Sequence, residues 1–231
     1  MWFRMLDPTY WVFALPALIL ALVAQAWVRR SYRKFLQVSN GAGVTGLEAA
    51  QRLMRTAGVQ LNIERASGVL SDHYDPRQRV LRLSSEVARR ASVASLAIVA
   101  HELGHAIQDA RDYLPMKVRS GLVPLVNFTS WLGPVLFFVG LMFNAEALAW
   151  LGVLTFAGAA FFALVTLPVE INASRRAMRL LEKSGLLVDQ QEKRGIRRVL
   201  TAAALTYVAA LAQAISNLLY YVFLLRGRRR D

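Results

Sequence analysis

The chain has no cysteine and only three histidines, and it is short of acidic residues, with 15 Asp+Glu against 28 Lys+Arg. Without a thiol it forms no disulfide, uses no cysteine nucleophile and binds no metal through sulfur. A metal in this protein must be held by nitrogen and oxygen. The acidic shortage leaves a net charge of +13, which calls for an anionic partner, either nucleic acid or phospholipid head groups. A phosphate loop is also missing. Asn40-Gly41-Ala42-Gly43 follows no strand and lacks the Gly-Lys-Ser/Thr ending. Internal repeats and low-complexity segments are absent too. At 231 residues the chain allows one domain or two.

Apolar sequence is what the chain has in excess. It is 55% hydrophobic, against roughly 45–50% in soluble domains, yet 19% of its residues are charged. The excess falls into four blocks, residues 10–28, 122–143, 147–169 and 201–225. Each meets the length of a spanning helix, roughly 17–25 residues. Only Asn144, Ala145 and Glu146 separate the second and third blocks, which therefore read as a tight helical hairpin. Ala24-Gln25-Ala26 has the small-x-small look of a cleavage site. The stop-transfer run Arg29-Arg30-Ser31-Tyr32-Arg33-Lys34 follows at once, so the first block reads as an uncleaved anchor.

Segments 29–121 and 170–203 hold 23 of the 28 basic residues. With four spans they lie on one side, which the positive-inside rule makes cytoplasmic. The N-terminal Arg4 and the tail Arg226-Gly227-Arg228-Arg229-Arg230 then fall on the other side. The tail goes against the rule, unless the fourth block does not fully cross. The charge reads as attraction to a phospholipid bilayer, and no nucleic-acid signature accompanies it.

The stretch between the first two blocks is able to form a polar domain. Thr45-Gly46-Leu47-Glu48 is a capping box opening a helix, and Gly58 is a natural stop. Val59, Leu61 and Ile63 alternate with polar residues, as a half-buried strand does. Ser71-Asp72-His73-Tyr74-Asp75-Pro76 is turn chemistry. Val80-Leu81-Arg82-Leu83 gives a second strand, Ser84 or Ser85 caps a short helix, and an Ala-rich helix runs on from Ser92. The expected unit is αββα.

That last helix carries His101-Glu102-Leu103-Gly104-His105, an H-E-x-x-H pattern. Positions four apart on a helix leave the same face, so both imidazoles can converge on one Zn²⁺. Glu102 stands beside them, where it can take a proton from water as general base. Catalytic zinc needs a third protein ligand. His73 is the remaining histidine. Glu170 is a carboxylate at the end of the third block, a depth at which such a group is functional by default. In the fourth block Gln213, Ser216 and Asn217 share a face and read as interhelical hydrogen-bonding groups.

His101-Glu102-Leu103-Gly104-His105-Ala106-Ile107-Gln108, followed one hairpin later by Leu167-Pro168-Val169-Glu170 and Ala173-Ser174-Arg175-Arg176-Ala177, resembles the membrane zinc metallopeptidases of the YugP type. These are similar in layout to the HtpX-like membrane proteases. The segments 70–76 and Tyr113 belong to the same resemblance. It implies a gluzincin-like fold with its site at the membrane surface, zinc held by His101, His105 and Glu170, and Glu102 as base. Two positions depart from the pattern. Asn172 stands where relatives carry an acid, a departure read as peripheral. Ser174 stands where HtpX-like enzymes carry an Asp that orients a zinc histidine. By analogy, Val80, Leu81, Arg82 and Leu83 form the edge strand to which an extended peptide adds. His73 or Tyr74 is a candidate donor to an oxyanion, against the plainer reading of a turn residue packing its loop.

The expectation is therefore a mainly α membrane protein with a small α+β polar domain. Its parts are an anchor over 1–28, a polar metallopeptidase domain over 29–121, a transmembrane hairpin over 122–169, a ligand helix over 170–200, and a fourth span with its tail over 201–231. The activity expected is Zn²⁺-dependent cleavage of a protein or peptide substrate associated with the membrane. The rival is a non-enzymatic scaffold in which zinc closes all four positions with protein ligands. A basic lipid-binding anchor without metal is the third reading.

Overall fold

The computed structural model describes residues 8–228, so Arg4, Arg229 and Arg230 lie outside the described residues. Along the chain come α1 (Pro8–Leu36), α2 (Gly46–Ala57), β1 (Asn62–Ala66), β2 (His73–Asp75), β3 (Val80–Ser84), α3 (Ser85–Arg89), α4 (Val93–Ala110), α5 (Leu114–Met142), α6 (Glu146–Lys183) and α7 (Gln190–Arg228). The protein is a mainly α membrane protein with a small α+β part. Four of its helices, α1, α5, α6 and α7, are long and apolar enough to cross a membrane.

Two compact units make up the chain. One comprises Ala26–Lys117 and Val169–Leu205. Its helices start and stop where local chemistry directs. Thr45 and Glu48 close a reciprocal capping box on α2, and Gly58 ends that helix at φ +69°, a conformation that suits glycine. Ser84 caps α3 and Ser92 caps α4 through their side-chain oxygens. Leu53, Leu81, Leu83, Leu96, Leu103, Leu181, Leu186 and Ile196 are all fully buried in one core. Each contributes about 1.5–3 kcal/mol relative to exposure.

The sheet departs from the expected αββα pattern. It has three strands in the order β1-β3-β2, with β1 parallel and β2 antiparallel to β3. The segment read as a turn contains β2, a three-residue strand too short to show alternation. This also corrects the substrate-strand assignment. Val80, Leu81, Arg82 and Leu83 lie in the central strand, where the first three are paired on both sides and Leu83 is paired with β1, so they do not form the free edge. The edges belong to β1 and β2.

The other unit comprises the described residues of Met1–Gln25, Val118–Pro168 and Thr206–Asp231. Close approach of small residues brings α5 and α6 together. A Cβ on Gly152 would lie 2.6 Å from the Phe137 nitrogen, and one on Gly140 would lie 2.4 Å from that of Ala149. Asn144 makes the hairpin turn in the left-handed region, at φ +52°. Phe156 stacks on Tyr221 with ring centroids 4.1 Å apart. Ser216 donates its hydroxyl to the Phe13 carbonyl of α1, an interhelical bond. Gln213 and Asn217 bond to each other within α7. Large apolar side chains such as Val12, Leu22, Trp131, Leu154 and Leu219 are exposed, as a lipid-facing surface requires.

Candidate metal centre

Two helices build the centre. The buried α4 puts His101 and His105 one turn apart, with ring centroids 4.8 Å apart and planes at 86°. The 38-residue α6 does not stop where its apolar run ends at Val169 but continues to Lys183, which carries Glu170 to the two rings. Glu170 Oε2 lies 3.2 Å from His101 Nε2 and 3.4 Å from His105 Nε2. One ligand atom from each of the three residues falls within 4.8 Å of the others. Glu170 is only 1% exposed, so its carboxylate meets the two imidazoles out of contact with bulk water. Gly104 makes this approach possible. A Cβ there would sit 2.5 Å from the Ala173 carbonyl oxygen, so any side chain at 104 would push α6 off α4.

Hydrogen bonds around the rings fix which nitrogen faces inward. Gln108 Nε2 donates to the Val169 carbonyl at 2.8 Å and to Asn172 Oδ1 at 3.0 Å. Asn172 Oδ1 also accepts from Arg176 Nε at 2.6 Å. These bonds orient both amides, and they leave Gln108 Oε1 only 3.0 Å from His105 Nδ1. A carbonyl oxygen accepts, so Nδ1 carries the proton and Nε2 presents its lone pair to the centre. Ser174 Oγ lies 3.2 Å from His101 Nδ1, where the hydroxyl can accept that ring's N–H. The reading of Asn172 as peripheral is therefore corrected, because it is the hinge of the network that orients His105. Sequence reasoning misses Gln108, although its place three residues after His105 on the same helix face is the signal for it.

Glu102 lies beside the cluster and accepts the Tyr74 backbone N–H at 2.9 Å. Burial pushes its carboxyl up to about 7. The nearby His101 ring and the Tyr74 N–H work against that rise, while Glu170 adds to it. Tyr74 thus touches the site through its backbone, while its hydroxyl donates to Asp109 Oδ2 at 2.8 Å. His73 is exposed, with Nδ1 2.8 Å from the Ser71 carbonyl oxygen. Among the described residues the His73 ring is not a member of the three-residue cluster, and the Tyr74 hydroxyl is engaged by Asp109. Arg82 is tied to Glu64 at 3.1 Å and to Asp75 at 2.8 Å, pinning β3 to both its neighbours.

The donor set suits zinc, with two imidazole nitrogens, one carboxylate oxygen and no thiolate. Residues 10–226 match the family model described as "Putative neutral zinc metallopeptidase". The chain belongs to that family. It is also 40% identical to the "Putative membrane protease YugP" of Bacillus subtilis (strain 168), over 92% of this chain and 95% of the relative. No solved structure matches it.

Proposed function

We propose that the chain is a membrane-bound zinc metalloendopeptidase, with His101, His105 and Glu170 as ligands and Glu102 as general base. The convergence of three donors from α4 and α6 beside a partly buried carboxylate carries this reading. Zinc held there supplies a Lewis acid, which makes water a competent nucleophile near neutral pH. Glu102, held by the Tyr74 N–H, takes the proton from that water and delivers it to the leaving amine. A carboxyl whose pKa lies near neutrality suits both halves of that task. The strand edge next to Glu102 belongs to β2, where an extended peptide would lie.

Among the described residues the cluster has three members. Three protein ligands leave a position for water, whereas a scaffold site would close all four. The 23 basic residues flanking the spans support a cytoplasmic site in a bacterial cell membrane.

Glu102→Gln is the deciding variant. It should retain one zinc per chain by elemental analysis and lose about 10²–10⁴-fold in cleavage of a protein substrate. Cleavage at the wild-type rate by the pure variant would refute the mechanism.

A further inference from the structure

Where α6 and α7 leave their apolar runs, a groove of about 480 Å³ opens between them. Arg175, Arg179 and Arg197 line it, and all three are exposed. Among the described residues none of these guanidinium groups has an ion-pair or hydrogen-bond partner. The groove's carboxylate, Glu182, is taken by Lys193 Nζ at 2.5 Å. Three uncompensated positive charges therefore face one concave space.

The floor of the groove is apolar. Leu200 is buried, while Met178 and Ile171 are half-buried. Depth along each helix follows from its rise. Arg175 comes six residues after Val169, and Arg197 four before Thr201, so they stand roughly 9 and 6 Å beyond the apolar runs. The polar layer on each side of a bilayer core is about 5–8 Å thick. Arg197 thus stands within the layer of the lipid phosphates, and Arg175, just beyond it, comes to them by laying its long side chain back along the apolar surface.

We propose that this groove binds the head group of an anionic phospholipid. Arg175 and Arg197 hold the phosphate, Arg179 guards the outer rim, and the glycerol backbone lies on Met178 and Leu200. Guanidinium groups suit this because their planar donors match phosphate oxygens two at a time. Diffuse attraction to a charged surface needs no groove, and a free anion needs no apolar floor. Ser174 forms part of the wall, and its hydroxyl is the one beside His101 Nδ1. The bound lipid therefore sits one side chain away from a proposed metal ligand. The proposal rests on the four helices lying in a bilayer and not on peptidase activity.

The test uses the full chain in neutral detergent, titrated with dihexanoyl phosphatidylglycerol, with bound lipid counted by native mass spectrometry. Saturable binding is expected, at least tenfold tighter than for dihexanoyl phosphatidylcholine. The Arg175→Gln/Arg179→Gln/Arg197→Gln variant should lose at least tenfold in affinity. Thr201→Trp, which fills the groove without touching its charge, should lose as much. A control that neutralises the exposed Arg52, Arg55 and Arg65 should bind as the wild type does. Equal loss in that control overturns the site, as does wild-type binding by the triple variant. Equal binding of phosphatidylcholine overturns the head-group choice. Displacement of the lipid by equimolar inorganic phosphate, or by an Asp/Glu-rich peptide, overturns the lipid as occupant. The readout involves neither zinc nor cleavage, so a negative result here leaves the peptidase reading standing.

Discussion

Gln108 Oε1 lies 3.0 Å from His105 Nδ1, and Gln108 Nε2 donates both bonds that set its amide to residues within two positions of Glu170, the Val169 carbonyl and Asn172 Oδ1. The side chain that orients one proposed ligand is thus fastened to the helix that carries another. The two helices cannot shift against each other without turning the imidazole.

Gln108→Leu should show this dependence. It leaves the His105 Nδ1–H, the Val169 carbonyl and Asn172 Oδ1 without that partner. Partners of this kind are worth roughly 10–100-fold in metal affinity, and we expect a loss of that size in zinc competition against a chelator. Unchanged affinity would mean that the ring is held by packing alone.

Gly104→Ala is a separate test of how closely α4 and α6 must approach. The added methyl would meet the Ala173 oxygen at 2.5 Å, and overpacking of this kind costs about 1–3 kcal/mol. The melting temperature should drop even in metal-free protein. Zinc should also bind less tightly, because Glu170 moves with Ala173.

A pH series on metal-free protein reads Glu102. Its carboxyl is raised from an ordinary value of 4.5 to about 7. Across that window the folded chain keeps a proton that the unfolded chain has released. Stability from this group therefore falls as pH rises from about 4.5 to 7, and it levels off above 7. The wild-type melting temperature minus that of Glu102→Gln should follow this curve. A flat difference would show that Glu102 is no more buried than a surface carboxylate.

Much of the fold can be read locally. Thr45, Gly58, Ser84 and Ser92 mark helix ends because capping involves only neighbours in sequence. The four apolar blocks announce four long helices for the same reason. Hydropathy misses that α6 runs to Lys183 and that α7 begins at Gln190. It reports what surrounds a helix and not where its hydrogen bonds end. The central place of β3 is not legible, since strand order depends on partners far along the chain. Nor is the role of Asn172 legible, because Gln108, the partner that ties it to His105, lies on another helix 64 residues away. The H-E-x-x-H pair is legible because both histidines lie on one face of one helix.

The proposed ligands are also far apart in the order of synthesis. Glu170 follows His101 by 69 residues, and all of α5 and the whole apolar run of α6 lie in between. A growing chain therefore displays its two histidines while the carboxylate has yet to be made. At about 5–20 residues per second that interval lasts roughly 3–14 s. During it the core that Leu181, Leu186 and Ile196 share with Leu53 and Leu96 is also incomplete, and the third proposed ligand is still missing. The proposed centre is completed only once the hairpin has been synthesised, so an unfinished chain lacks one of its three proposed ligands.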